Sequence, residues 1–239
     1  MKARVCFNLT ELDPALLPGA AVVVIDVVRA TTSMVEALAN GARAIYPTSS
    51  AEEAVKLASS LGREDTLLCG ERKGVKVEGF HLGNSPSEFG PEVVRGKRLV
   101  MSTTNGTVAL AGAVEARRVL ACALTNLAAV ADAIRGEEEL IILCAGRMGR
   151  FSLDDAVCAG HLLRRLGADP KETEHNDAAR AALALAAVID PDPAFLAATE
   201  AGGALAAIGL EGDLKACGAV DLHAVVAEMK DRALIAAEG

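Results

Sequence analysis

Aromatic side chains are nearly missing from this 239-residue chain, which has no Trp, one Tyr and five Phe. Binding single-stranded nucleic acid by base stacking needs several aromatic platforms, so that function is disfavoured. A basic excess is missing too. Lys and Arg total 24 against 32 Asp and Glu, a formal net charge of −8, which argues against a partner that is nucleic acid or an anionic membrane. No apolar run is long enough to span a bilayer, and the strongest, 20–28 (AAVVVIDVV), carries Asp26. Glu11, Asp13 and two prolines precede it, unlike the basic start of a secretory leader, so a cytoplasmic protein is expected. The six cysteines, at 6, 69, 122, 144, 158 and 217, form no CxxC pair and no zinc-ligand spacing. Several sit in apolar strings (LLCG, IILCAG), where a thiol acts as a small buried hydrophobe in a reducing compartment. The chain also lacks GxSxG, GxxxxGK[ST] and GxGxxG, which removes the usual support for a hydrolase elbow, a nucleoside-triphosphate loop or a dinucleotide fold.

What is present is a strand-then-helix rhythm, in a chain that is 51% hydrophobic and 23% charged and therefore not disordered. Short β-branched runs predict strands over 22–25, 43–46, 66–69, 98–101, 119–123 and 140–144. Helices are predicted over 31–39, 106–114, 126–134 and 153–166, with another capped by Ser50 and Glu53. Continuous apolar strands alternating with helices indicate an α/β fold, layered α/β/α, with a mainly parallel or mixed sheet. The expected organisation is one catalytic domain over 1–239, either undivided or as two closely packed lobes. An offset of 74 residues lays 32–55 over 106–129 as helix, strand and helix, a trace consistent with an internal duplication. The segment 70–92 is rich in Gly, Pro and charge without a clean period and reads as a long functional excursion. Past 169 the pattern is helical, with breaks at DPDP (190–193) and at the GG of 202–203.

Polar residues gather just after the strands. Asp26 and Arg29 follow VVVI, Glu71 and Arg72 follow LLCG, Thr103 to Asn105 follow RLVM, and Arg147 and Arg150 follow IILCAG. Ligands of open α/β sheets bind at the carboxyl ends of strands, near helix N-termini that favour anions. Arginines, short hydroxyls, glycine amides and carboxylates at four strand ends suit a small anion. Each piece also has a plain structural reading. Asp26 and Arg29 make a strand-end salt bridge, TTNGT (103–107) and GNSP (83–86) make turns, Glu71–Arg72 makes a solvated pair, and Ser152 with Asp155 makes a helix cap. Cys144 as a phosphatase thiol is a minority option, because CAGRMGR fits such a loop only loosely. The four histidines share no ligand spacing. His161, His175 and His223 read as surface or structural, and only His81, inside the excursion, is kept.

IDVVRATTS, CGERKG with GFHLGNSPSEF, GKRLVMSTTNGTVAL and CAGRMGRFSLDDAVCAG occur in one order over 21–160, and the set resembles the 2-phosphosulfolactate phosphatase family. The resemblance implies a Mg²⁺-dependent phosphatase that takes 2-phospho-3-sulfolactate to 3-sulfolactate on a coenzyme M type route. It implies an active site of Asp26, Arg29, Thr31, Glu71, Asn84, Ser85, Thr104, Asn105, Gly106 and Asp155. On that basis Asp26, Arg29, Thr104 and Asn105 are expected to be catalytic. Asp26 with Glu71 or Asp155 is expected to hold the metal. Thr31, Arg72, Asn84, Ser85, Gly106, Thr107 and Arg147 are expected to bind substrate, with Lys73 an alternative grip for its acid groups. Two departures stand out: His81 occupies a position that is more often acidic, and MSTTNGT lacks a further Thr. Water attack and an aspartyl-phosphate on Asp26 both stay open. So do a phosphatase of another small phosphorylated hydroxyacid and a non-catalytic anion-binding scaffold. Alanine-rich helices suit a homo-oligomer. A polyanionic substrate on a chain of charge −8 makes the divalent cation a requirement.

Overall fold

The first half of the computed structural model, which describes residues 1–62, 64–167 and 173–237, runs β1 (Lys2–Cys6), β2 (Ala21–Ile25), α1 (Ala30–Ala39), β3 (Ala44–Pro47), α2 (Ala51–Leu61) and β4 (Thr66–Arg72). The excursion then forms a short hairpin with β5 (Val75–Lys76) and a turn of helix, α3 (Pro91–Val94). The rhythm resumes with β6 (Arg98–Ser102), α4 (Gly106–Gly112), β7 (Arg118–Cys122), α5 (Leu127–Ala133), β8 (Glu139–Cys144) and α6 (Leu153–Arg165). The C-terminal part adds β9 (Glu174–His175), α7 (Asp177–Val188), α8 (Pro193–Ala197), α9 (Glu200–Ala206), α10 (Asp213–Cys217), and a hairpin of β10 (Ala227–Lys230) and β11 (Ala233–Ala236). That hairpin and β1 are not legible as strands in the sequence pattern, and the change of character at 169 falls outside the described residues.

Among the described residues, eleven strands form one sheet in the order β5-β4-β6-β3-β11-β10-β7-β2-β8-β1-β9. It is two parallel blocks, β4-β6-β3 and β7-β2-β8-β1, joined by the antiparallel β10–β11 hairpin. The order β4-β6-β3 matches β8-β2-β7 strand for strand about that hairpin, each half of the chain lending its first strand to the other block. Helix–strand–helix units α1-β3-α2 and α4-β7-α5 thus occupy equivalent places, as the 74-residue offset suggests. The blocks run in opposite senses across the hairpin. A twist of about 20–25° per strand, accumulated over the six steps from β2 to β4, reorients one toward the other by on the order of 120–150°.

Alternation along the strands explains the layers. Val22 and Val24 of β2, Ile45 of β3 and Leu99 and Met101 of β6 pack on Met34 and Val35 of α1 and Leu110 of α4, so the sheet curls around these two helices. Val23 and Ile25 face the other way, against α5, α6 and α7, and Val100 meets Ala54 and Ala58 of α2. Every residue of β2 is fully buried, which is why this strand reads as a continuous apolar run. The helices α6 and α7 approach so closely that a Cβ on Gly160 would lie 2.0 Å from the Ala182 carbonyl oxygen and 2.8 Å from the Ala186 Cβ. Gly160→Ala is therefore expected to lower the melting temperature by about 3–10 °C, measured by calorimetry. An unchanged value would contradict this close contact.

Candidate active site

A cavity of about 300 Å³ opens where strands of both blocks end. Asp26 and Arg29 enter it from the loop after β2, Glu71 from the end of β4, Thr104 and Asn105 from the loop after β6, and Arg147 from the loop after β8. Lys73 and Asn84 join them from the excursion. The facing wall is apolar: Ala201, Ala204 and Leu205 of α9, then Ile208.

The loop after β2 is fixed by its own sequence. Thr31 accepts the Asp26 amide at 3.0 Å and donates its hydroxyl to the Asp26 carbonyl at 2.8 Å, while Thr32 donates to the Val27 carbonyl at 2.7 Å. The Val28–Arg29 peptide is cis. The Asp26 carboxylate accepts the Ala30 amide at 3.3 Å and lies near the amide of Gly106, so it faces the first turns of both α1 and α4. Burial pushes its carboxyl above the ordinary range. Repulsion from Asp154 and Glu71 adds to this, and the two amides oppose it. Space is tight here, because a Cβ on Gly106 would fall 2.5 Å from the Ala30 Cβ and 2.7 Å from Asp26 Oδ2.

Glu71 is held as firmly. Oε1 accepts the Thr104 amide at 2.7 Å, and Oε2 accepts the Gly74 amide at 2.6 Å and the Thr104 hydroxyl at 3.2 Å. The Oδ1 of Asn105 accepts the Met148 amide at 3.1 Å, which leaves its NH₂ group as a donor. Arg29, only 4% exposed, donates to Asp213 at 2.7 Å and to the Gly74 carbonyl at 2.7 Å. Asn84 is 4% exposed, and its side-chain oxygen has no protein partner.

Of the expected site, Asp26, Arg29, Glu71, Asn84, Thr104, Asn105 and Arg147 line the cavity. Thr31, Arg72, Ser85, Gly106, Thr107 and Asp155 do not, and each has another task. Arg72 donates to the Glu71 carbonyl, the Ser102 carbonyl and the Ser102 hydroxyl. Thr103 and Thr107 cap each other reciprocally, each hydroxyl accepting the other's amide. The Ser85 hydroxyl donates to Asp213. Both oxygens of Asp155 are taken by amides, Val27 at 2.9 Å and Gly146 at 3.0 Å, so the plain cap reading gives way to a clamp between the loops after β2 and β8. Ser152 makes no side-chain cap bond and donates instead to Asp154.

Cys144 is fully buried. Burial pushes its thiol well above the ordinary value, against the thiolate a phosphatase loop needs. The Nδ1 of His81 accepts the Leu68 amide at 2.9 Å, outside the cavity lining. His161 bonds the Ile189 carbonyl and His223 pairs with Glu36. Sequence reasoning missed Asp154, Asp213 and the α9 wall. SLDD was read as a cap or, at Asp155, as a metal ligand but not at Asp154, and nothing in GLEGDLKACG distinguishes Asp213.

Three cations (Arg29, Lys73, Arg147) and two anions (Asp26, Glu71) line a cavity in a chain of net charge −8. Fold and cavity together define an α/β protein with a charge-lined cavity at its strand ends. A family model described as 2-phosphosulpholactate phosphatase matches residues 6–232. A probable 2-phosphosulfolactate phosphatase of Clostridium perfringens (strain SM101 / Type A) is 39% identical over 235 residues, 97% of this chain and 94% of that protein. Proteins of the same description from Thermotoga maritima and Caldanaerobacter subterraneus subsp. tengcongensis are 41% and 45% identical. The first match covers 67% of this chain and 66% of that protein, the second 61% of each. The chain belongs to the 2-phosphosulfolactate phosphatase family, whose members are phosphoric monoester hydrolases. Among the described residues, no helix is long and apolar enough to cross a membrane.

Proposed function

We propose that this cavity hydrolyses the phosphate ester of 2-phospho-3-sulfolactate in a Mg²⁺-dependent reaction on a coenzyme M type route. The observation that carries the reading is the set of three cationic and two carboxylate side chains that line one cavity. Asp26 and Glu71 are hard oxygen donors, and the buried Asn84 oxygen lacks a partner, so the residues fit a hard divalent cation. Among the described residues no three His, Cys, Asp or Glu side chains gather as a metal cluster. Two carboxylates accord with the habit of Mg²⁺, which takes one or two and completes its shell with water and substrate phosphate. Asp26 and Glu71 would hold the ion, and Asp155 is left out because it does not line the cavity. When bound, the cation offsets charge on the phosphoryl oxygens.

The chain's own groups do the rest. Arg29 binds the equatorial oxygens, and the Asn105 NH₂ donates beside it. Lys73 and Arg147 hold the sulfonate and carboxylate, and Arg72, tied to Ser102, takes no part. The α9 wall excludes water. The attacking oxygen is that of water or of Asp26. The stereochemistry at a chiral phosphoryl group distinguishes them, since one direct displacement by water inverts the phosphorus whereas two displacements through Asp26 retain its configuration. One sheet drawn from both ends of the chain supports a single catalytic domain over 1–239. Six free, buried cysteines support a cytoplasmic setting, and exposed apolar side chains such as Val188 and Leu222 support a homo-oligomer.

The test is phosphate release from 2-phosphosulfolactate and a panel of phosphorylated hydroxyacids, with Mg²⁺ and with EDTA. The expected result is release that EDTA abolishes and Mg²⁺ restores, fastest on phosphosulfolactate. A faster panel member reassigns the substrate. No release from any ester refutes the phosphatase reading and leaves an anion-binding scaffold.

A further inference from the structure

We propose that Asp213 is the positioning residue that aims Arg29 at the substrate's phosphoryl oxygens, an inference that rests on the cavity being a phosphoester site. Arg29 and Asp213 are 4% and 7% exposed and form a 2.7 Å ion pair. A guanidinium carries five N–H donors. Here one goes to Asp213 Oδ2 and one to the Gly74 carbonyl, which leaves three for the cavity that Arg29 lines. Two fixed points on a planar fork set both its position and its plane.

The second oxygen of Asp213 accepts the Ser85 hydroxyl, so the carboxylate is itself oriented from the excursion. The Gly74 amide donates to Glu71, so the residue that anchors one arm of Arg29 also anchors a cavity carboxylate. Asp213 begins α10, seven residues after the end of α9, whose apolar side chains form the facing wall. One carboxylate therefore joins the C-terminal segment, the excursion and the loop after β2 at the buried cation of the cavity. Lys73 is exposed and Arg147 half-buried, so Arg29 is the cavity cation whose direction packing and pairing determine.

The experiment measures binding of inorganic phosphate in the presence of Mg²⁺ by titration calorimetry, with turnover of 2-phosphosulfolactate alongside, for wild type, Asp213→Asn, Arg29→Lys and the double variant. Asp213→Asn keeps the shape and is expected to weaken phosphate binding and lower kcat by about 10–100-fold, the usual effect of losing an orienting partner. In the Arg29→Lys background the same change is expected to cost nothing further, because its effect passes through the guanidinium. Equal phosphate affinity and kcat in wild type and Asp213→Asn would overturn the proposal. So would losses that simply add in the double variant, as a merely structural role requires. If Asp213→Asn melts below the assay temperature, Ser85→Ala serves instead, with a smaller loss expected in the same two quantities and unchanged values contradicting it. A wild type that binds phosphate but hydrolyses no ester refutes the phosphatase reading and leaves the binding comparison decisive for Asp213. A wild type that binds no phosphate overturns both.

Discussion

Asp26→Asn is expected to reduce phosphate release by on the order of 10³-fold while leaving the melting temperature unchanged or raising it. The two effects have separate causes. The carboxylate is one of two on the cavity wall, and an amide in its place neither binds a hard cation as well nor acts as a nucleophile. The same carboxyl is buried against Asp154 and Glu71, so its charge is a strain that the folded protein carries. Removing that charge relieves the repulsion, the usual trade between activity and stability at a functional site. Steady-state phosphate release and calorimetry on one preparation check both halves. Activity within a few-fold of wild type would remove Asp26 from the reaction.

Gly106→Ala is expected to lower kcat/KM by about 100-fold although Gly106 lies outside the cavity lining. Its added methyl would overlap the Ala30 Cβ and Asp26 Oδ2, so either α4 moves off α1 or the Asp26 carboxylate moves toward the cavity. Overpacking of this kind also destabilises, by about 1–3 kcal/mol. Gly19→Ala is the matched control, since a Cβ there meets nothing within 4 Å and its φ is not left-handed. Near-normal kinetics for Gly106→Ala beside an unaffected Gly19→Ala would show that the carboxylate tolerates displacement. In that case its geometry would not limit the rate.

The strand-and-helix core was legible because β2, β6, β7 and β8 are buried on both faces and therefore read as unbroken apolar runs. The polar residues that follow β2, β6 and β8, Asp26, Thr104 and Arg147, are among those that reach the cavity, with Glu71 from the end of β4. Composition hid β10 and β11. AEMK and ALIA carry no turn signature or alternation strong enough to separate them from the alanine-rich helices before them, and their pairing with β7 and β3 is decided by distant chain. Among the candidate ligands, sequence could not separate residues that face the cavity from those one shell behind. Thr107 and Thr104 lie in one string, yet Thr107 closes a cap with Thr103 while Thr104 stands on the wall beside Glu71. Asp213 was invisible because its meaning comes from a pairing 184 residues away.

The most direct measurement is a crystal structure of the wild-type protein with Mg²⁺ and inorganic phosphate. The expected result is phosphate against Arg29 and Asn105, with the cation on Asp26 and Glu71 and with Asp155 still bound only to the Val27 and Gly146 amides. Phosphate elsewhere, such as the groove of Arg117, Arg118 and Arg232, beside a cavity that holds only water, would contradict the account.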